Sequence, residues 1–233
     1  LKDGMTIEKA VTMVRYKLKC INGPLTNLAK RLENHGIIIQ MFDFGTDKMD
    51  GVSTVTGHGR KIIFLNSLMP NDRIRFSLAH ELGHMVLHID DIPDEDRDVE
   101  EEANNFASQL LMPANEIKPQ LYNLTFNKLM DLKQRWCVSM RALVKRAFDL
   151  NTMSSTSYRN FQINFSKKGY TKMEPGQLSP EPMTILDDVI KLYQSELGYS
   201  EEDLMKVMFM KKNDYYSWFS SQRKPMIIRL NRD

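Results

Sequence analysis

The order of apolar and polar residues predicts a helix-rich chain with a small sheet near its front. Apolar residues at helical spacing indicate helices over 5–17 and 25–33. Three short runs rich in β-branched or aromatic residues, each bounded by Gly or Asp, predict strands over 37–42, 52–56 and 61–65. This front half therefore has the pattern of an α+β fold.

Beyond the predicted strands the pattern is helical. The predicted helical segments are 72–88, 98–112, 115–150 in two or three pieces, 184–196 and 201–209. Asn71 is the expected N-cap of the first of these helices, and Pro113 ends the second. Ser200, followed three residues later by Asp203, opens the last one. The Pro-rich stretch 175–182 is expected to be a linker.

Composition places the chain among ordinary soluble proteins. It has 233 residues, of which 42% are hydrophobic and 27% charged, enough to build a sizeable core. No apolar run approaches the ~18–20 residues that a membrane helix needs, and the first residues lack a secretory signal pattern. Cys20 and Cys137 are far apart and form no CxxC pair, so a reducing, cytoplasmic environment is expected.

Charge is unevenly distributed although the net charge is only +2. Residues 90–102 contain nine acids and one arginine, whereas residues 116–172 contain eleven basic residues and three acids. Solvated surface is the simplest interpretation of both segments. The alternative for the basic segment is contact with DNA, in which 129–148 would form a helix-turn-helix with 136–139 as its turn.

The predicted helix 72–88 contains the sequence HELGH, with His80 and His84 four residues apart. Two residues at this spacing differ by ~6 Å of rise and ~40° of rotation, so both imidazoles can reach one ion. Glu81 follows the first histidine, where a carboxylate can act as general base on water. This arrangement is typical of zinc hydrolases. His88 lies ~12 Å along the helix from His80 and cannot share an ion with it, so we expect His88 at the surface rather than behind a ligand.

A third protein ligand must come from elsewhere. A metzincin would have Gly and His where the chain has Leu87 and Asp90, so that class is excluded. The remaining common solution is a carboxylate from the following helix. On a helical wheel Glu100 borders the inward apolar face of that helix, and Glu102 is the second choice.

One turn after Glu100, Asn104 is placed to orient a histidine ligand through a hydrogen bond. An oxyanion donor is also needed, and Tyr158 and Arg159 are the candidates. The strand over 61–65, just ahead of the histidine helix, is expected to bind an extended substrate by edge pairing.

Two motifs together resemble a known family. HELGH preceded by RIRF, and the run EEEANNFASQLLMP over 100–113, are similar to the ImmA/IrrE metallo-endopeptidases, and the resemblance covers roughly residues 7–175. It implies a cytosolic, zinc-dependent endopeptidase of gluzincin type, often encoded on a mobile element. Such enzymes regulate transcription by cleaving or inactivating an XRE-type helix-turn-helix repressor. The chain departs from the pattern at Asn104, where Asp is common.

We accordingly expect a zincin-like metallopeptidase core over 1–113, a helical, helix-turn-helix-like extension over 114–175 and a helical C-terminal segment over 176–233. The expected site has His80, His84 and Glu100 as zinc ligands and Glu81 as general base. The alternative is a DNA- or protein-binding regulator that acts without proteolysis.

Overall fold

The computed structural model describes residues 4–89, 97–171 and 173–219. Its strands are β1 (Ile37–Phe42), β2 (Gly51–Val55) and β3 (Lys61–Asn66). Its helices are α1 (Ile7–Lys17), α2 (Leu28–Glu33), α3 (Asn71–Leu87), α4 (Val99–Leu111), α5 (Ala114–Ile117), α6 (Phe126–Trp136), α7 (Met140–Asp149), α8 (Ser155–Lys167), α9 (Ile185–Ser195), α10 (Glu201–Val207) and α11 (Lys212–Phe219), with a 3₁₀ turn at Lys118–Gln120. Among these helices none has the length and apolar character needed to span a membrane.

The three strands form one mixed sheet in the order β1-β3-β2. The central β3 is parallel to β1, with Ile37 opposite Lys61, and antiparallel to β2, with Gly51 opposite Leu65. Ile63 and Leu65 of β3 are fully buried, which fixes the register because a one-residue slip would turn them to the other face. The predicted helix-rich α+β fold with a small three-stranded sheet is confirmed.

The prediction that strand 61–65 binds substrate by edge pairing is wrong. That segment is β3, and its backbone groups are hydrogen-bonded to β1 on one side and β2 on the other. An added strand needs unpaired N–H and C=O groups at a sheet edge. Within the described sheet β2 has such an edge beside α3.

Helices α3 and α4 pack closely because a glycine stands where they meet. A Cβ atom added to Gly83 would lie 3.1 Å from the Phe106 ring and 3.2 Å from Ala103 Cα. Phe106 and Ala103 are themselves fully buried. The glycine of HELGH therefore lets α4 approach the histidine helix.

The start of α3 differs from the prediction. Pro70 is the N-cap and Asn71 is the first helical residue, with its side-chain amide donating to the Leu178 carbonyl at 2.7 Å. Asn71 thus contacts the C-terminal half of the chain instead of capping the helix.

A buried ion cluster joins α3 to the helical second half. Lys133 of α6 is fully buried, and its Nζ lies 2.5 Å from Asp72 Oδ2 and 2.9 Å from Glu174 Oε2. Glu174 also accepts hydrogen bonds from the backbone N–H groups of Met140 and Arg141 at the start of α7. Removing Lys133 would leave two buried carboxylates without a cation, which is strongly destabilising.

The stretch expected to be a linker is bonded to the first half of the chain. Glu181 pairs with the buried Arg75 of α3 and accepts from Ala29 N at 3.1 Å. Just beyond this stretch, the backbone N–H of Ile185 donates to the Glu33 carboxylate at 2.9 Å. Glu33 therefore caps the N-terminus of α9. The domain boundaries at 113 and 175 stay a prediction.

Candidate metal centre

Helix α3 brings two imidazoles together. His80 and His84 lie one turn apart on it, and their Nε2 atoms are 3.0 Å from each other. Burial and then the neighbouring His80 lower the pKa of His84, which favours the neutral ring that a metal ion requires. Both rings present a nitrogen to the same point in space.

Glu100, in the first turn of α4, completes the cluster. Its two carboxylate oxygens lie 3.3 Å from His80 Nε2 and 3.4 Å from His84 Nε2. One ligand atom from each of the three residues falls within 4.8 Å of the others, so the cluster could hold a metal ion. Glu102 lies elsewhere, against His88 and Arg97. The structure thus brings Glu100, rather than Glu102, to the two histidines.

The hydrogen bonds behind the imidazoles decide where their protons are. His80 Nδ1 lies 3.0 Å from Asn104 Oδ1, and an amide oxygen only accepts, so Nδ1 carries the proton. In the neutral ring the Nε2 lone pair is then free of a proton and points towards His84 and Glu100. Asn104 is therefore placed as the sequence predicted.

A longer chain of hydrogen bonds lies behind His84. His84 Nδ1 is 3.0 Å from His88 Nδ1, and His88 Nε2 is 3.0 Å from Glu102 Oε2. Hydrogen bonds from Arg97 and then His88 lower the pKa of Glu102 to about 2, so its carboxylate is ionised and only accepts. With His88 neutral, its Nε2 donates to Glu102, its Nδ1 accepts, and His84 Nδ1 donates to it.

In these tautomers the Nε2 lone pairs of His80 and His84 face each other across 3.0 Å, beside a carboxylate. Two lone pairs repel unless a cation lies between them. Two histidines and one glutamate are also the donor set of many catalytic zinc sites. The residues present therefore fit a bound divalent metal ion.

The expectation that His88 lies at the surface is wrong. Its side chain is only 10% exposed, because it is enclosed by His84 and Glu102. The signal available in the sequence was the four-residue repeat of His80, His84 and His88, which places the three rings on one face of a helix.

Glu81 lies in the same cleft, a cavity of about 790 Å³ that His80, His84 and Glu100 also line. Burial raises the pKa of the Glu81 carboxyl, and hydrogen bonding to Ser53 of β2 opposes that rise. A Cβ added to Gly51 of β2 would lie 3.2 Å from Glu81 Cγ, so the glycine leaves the room that this carboxylate occupies. The edge strand thus positions the candidate base.

The wall of this cleft is the edge strand itself. Residues 50–54, which include all of β2 except its last residue, line it opposite α3. An extended peptide added to this edge would run alongside Glu81 and the histidines. The edge of β2, rather than that of β3, is therefore the one available to an extended substrate.

A second groove of about 760 Å³ adjoins the cleft and shares Phe76, Glu100 and Asn104 with it. Tyr158 of α8 lines this groove, with its ring stacked on Phe148 at 4.7 Å between centroids. Arg159 is exposed and lines neither cavity. The structure brings neither residue into the histidine–glutamate cluster, so a role for Tyr158 in the reaction stays a prediction and Arg159 is poorly placed for one.

Comparison with known families now identifies the fold that carries this cluster. The family model Peptidase_M78, described as the IrrE N-terminal-like domain, matches residues 32–148, half of the chain. The chain belongs to this family. Its Peptidase_M78 domain, a metallopeptidase, extends from the end of α2 to α7 and contains every residue of the candidate metal centre. A comparison with curated proteins gives no match.

Proposed function

We propose that the chain is a zinc-dependent endopeptidase of gluzincin type that hydrolyses a peptide bond in an XRE-type helix-turn-helix repressor. The observation that carries the proposal is the convergence of His80, His84 and Glu100 in a cleft that also holds Glu81 and runs along an open strand edge. A metal site that served only structure would need neither an adjacent base nor an open cleft.

The ligand set assigns a role to each residue of the centre. His80, His84 and Glu100 would hold the ion, with Asn104 and His88 fixing the tautomers of the two histidines. Zinc in this position supplies a Lewis acid that acidifies water and polarises a carbonyl group. The side chain of Glu100 is 69% exposed, so the cluster is open on the side where substrate must enter.

The chain's own groups then move the proton. Glu81 takes a proton from the attacking water and delivers it to the amine of the leaving peptide. Glu81 is only 7% exposed, and this burial raises the pKa of its carboxyl towards neutral pH. A pKa nearer the working pH favours both taking up and releasing the proton. The edge of β2 holds the substrate backbone by strand addition. A substrate must therefore offer an extended segment, which in a folded repressor is an exposed loop or a locally unfolded stretch.

The repressor as substrate is supported by the family resemblance of the HELGH and 100–113 motifs. A restricted substrate also agrees with binding by strand addition, which requires an extended segment. Regulation of transcription, origin on a mobile element and a cytoplasmic location belong to the same proposal. The acidic segment 90–102, interpreted from the sequence as solvated surface, falls largely on residues 90–96, which lie outside the described residues.

The proposal is tested with zinc-loaded protein and two substrates, an XRE-type repressor from the same organism and casein. We expect one or a few cuts in the repressor, located by mass spectrometry, and little digestion of casein. Glu81→Gln is the matched control, since it keeps the size of the side chain but removes the base, and should lower the cleavage rate at least ~10²-fold.

Two results would contradict the proposal. Rapid, unselective digestion of casein would refute the narrow substrate. Cleavage by Glu81→Gln at the wild-type rate, with zinc still bound, would refute the role of the base. Tight repressor binding without cleavage would instead support a regulator that sequesters its partner.

The alternative of DNA contact through 116–172 is not favoured by the packing of that region. Lys133 and Arg146 are buried, the first in the ion cluster and the second donating to the Met112 carbonyl at 3.1 Å. Glu174 occupies the N-terminal end of α7. Part of the basic charge thus serves the fold, and a carboxylate stands where a phosphate would bind.

A further inference from the structure

The edge strand β2 presents its backbone groups to the cleft in a fixed alternation. At its two ends, the Asn66 N–H donates to the Asp50 carbonyl at 2.8 Å, and the Thr56 N–H donates to the Arg60 carbonyl at 2.9 Å. Asp50 and Thr56, which flank β2, therefore both bond towards the β3 side. In an antiparallel ladder the backbone groups of successive residues point alternately to the two sides, so the even-numbered residues of β2 face β3.

The odd-numbered residues, Gly51, Ser53 and Val55, consequently point their N–H and C=O groups away from the sheet. Within the described part of the chain, no backbone hydrogen bond occupies Gly51 or Val55 on this side. Side chains alternate likewise, since Val52 and Thr54 are exposed whereas Gly51 and Ser53 are half-buried. A peptide strand added at this edge can bond only to the three odd-numbered residues.

Glu81 lies against this open edge, whereas the candidate metal ligands lie on the side of α4. A Cβ atom on Gly51 would be 3.2 Å from Glu81 Cγ, and the Glu81 carboxyl hydrogen-bonds to Ser53. The two histidines of the cluster instead contact Glu100 of α4, at 3.3 and 3.4 Å. A peptide in the cleft therefore meets Glu81 on its strand side and the ligand cluster on its other side.

These positions select one orientation of the scissile peptide bond. The N–H and C=O groups of a trans peptide bond point in opposite directions. If the N–H faces β2, the leaving nitrogen lies on the side of Glu81, which must protonate it, and the carbonyl group faces the ligand cluster. The reverse orientation would place the carbonyl against the strand and turn the leaving nitrogen away from Glu81. Only the first orientation meets both requirements of hydrolysis.

We propose that the substrate is cleaved in a single register, in which the N–H of the scissile bond donates to the carbonyl group of Ser53. The residue that follows the scissile bond is called +1, and the one before it −1. Residues −2, +1 and +3 then turn their backbone groups to β2, and residues −3, −1 and +2 turn theirs away. This holds for either direction of the substrate, because backbone groups alternate along any strand. The inference rests on the proposed endopeptidase function and adds which bond of a paired segment is cut.

Proline in the substrate reveals the register because it has no N–H group. At −2 or +3 a proline would remove a hydrogen bond to the edge, whereas at −3 or +2 the missing N–H would have faced away from β2. The ring and its restriction of φ are the same at all four positions, so −3 and +2 are the matched controls. Position +1 does not discriminate, because a proline there changes the scissile amide itself.

The test incubates the zinc-loaded full chain with a mixed library of peptides made by trypsin digestion of a cell lysate, and mass spectrometry identifies the cut sites. We expect proline at −2 and +3 to be depleted at least ~fivefold against its frequency in the library, the effect of losing one hydrogen bond. Proline at −3 and +2 should stay within about twofold of that frequency, since no hydrogen bond is lost there. One cleaved sequence, resynthesised with an N-methyl group at −2 or at −3, should be cut at least ~fivefold more slowly in the first case only.

A second readout needs neither metal nor substrate. Hydrogen exchange of the ¹⁵N-labelled full chain, followed by NMR, should be at least ~tenfold slower for the Val52 and Thr54 amides than for those of Gly51 and Val55, since only the first two are bonded within the sheet. Equal exchange at all four amides would overturn the alternation on which the register depends.

The peptide experiment separates failure of the register from failure of the enzyme. Cleavage that tolerates proline at −2 and +3, or that excludes it equally at all four positions, would overturn the register and leave the endopeptidase standing. No cleavage of any peptide would refute the proposed function itself, and the register with it.

Discussion

The two histidines of the candidate metal centre have the same chemistry but unlike neighbours. Behind His80 stands one neutral amide, Asn104, at 3.0 Å. Behind His84 stands a chain of charged or chargeable groups, in which His88 contacts Glu102 and Glu102 is paired with Arg97 at 2.6 Å. Both arrangements fix a tautomer, but only a chain that ends on a carboxylate draws the proton away from the ligand ring.

This difference predicts that His84 depends more on its surroundings than His80 does, because two further side chains hold its ring. A carboxylate behind a ligand imidazole raises the basicity of that ring, whereas an amide only orients it. Helix α3 thus places His80 and His84 at one spacing, and α4 gives them different neighbours, with Asn104 behind His80 and Glu102 behind the His88 that contacts His84. Substitutions at the ligands and then at their neighbours can break or sharpen the comparison.

The largest effect is expected at the ligands themselves. Purified wild-type protein should contain near one equivalent of zinc, and His84→Ala should contain almost none after dialysis, because two remaining ligands do not complete the site. His80→Ala should behave in the same way. Elemental analysis measures the metal, and circular dichroism checks the fold. Full retention of zinc by either variant would refute the assignment of that ligand.

The clustering of His80, His84 and Glu100 could be predicted from the sequence because it depends on local geometry. The spacing of His80 and His84 is a property of any α-helix, and Glu100 follows from the apolar face of α4. The pairing of Glu102 with His88 depends on how α4 crosses α3, where Gly83 lets the helices approach. The periodicity of residues within one helix does not predict how two helices cross.

A second, smaller change in zinc binding is expected for substitution of His88, which lies behind His84. His88→Leu should weaken zinc binding ~10–100-fold, because the His84 Nδ1 proton loses its acceptor and the ring loses its orientation. Competition with a chromogenic chelator gives the affinity. The visible spectrum of the Co²⁺-substituted protein, which reports the geometry around the ion, supplies a readout that simple destabilisation would not move.

His88→Asn is the matched control for that experiment. Its Oδ1 can occupy the place of His88 Nδ1 and accept the same proton, so it should recover much of the affinity that His88→Leu loses. Both variants should be compared at equal stability of the metal-free protein. If His88→Leu binds zinc as tightly as the wild type, the chain through Glu102 has no part in holding the ion.

Strand pairing and the C-terminal helices show where sequence patterns fail. Three strands were found at nearly their observed positions, but pairing is non-local, and the pattern did not reveal that β3 is central and β2 lies at the edge. Helix α11 was missed because its residues lack a clear apolar period, and its buried Tyr215 packs through tertiary contacts. Local preference does not encode either feature.

The smallest change in zinc affinity is expected for substitutions of Asn104, which lies behind His80. Two substitutions there should change the affinity in opposite directions. Asn104→Leu removes the acceptor for His80 Nδ1 and should weaken zinc binding about tenfold, the low end for such partners. Asn104→Asp keeps the acceptor and adds a charge, so it should make His80 more basic and tighten binding a few-fold. It would give His80 the kind of support that His84 already has through Glu102. Chelator competition on the wild type and both variants decides the matter. Weaker binding by Asn104→Asp would show that Glu100, one turn away, already supplies all the negative charge that this centre tolerates.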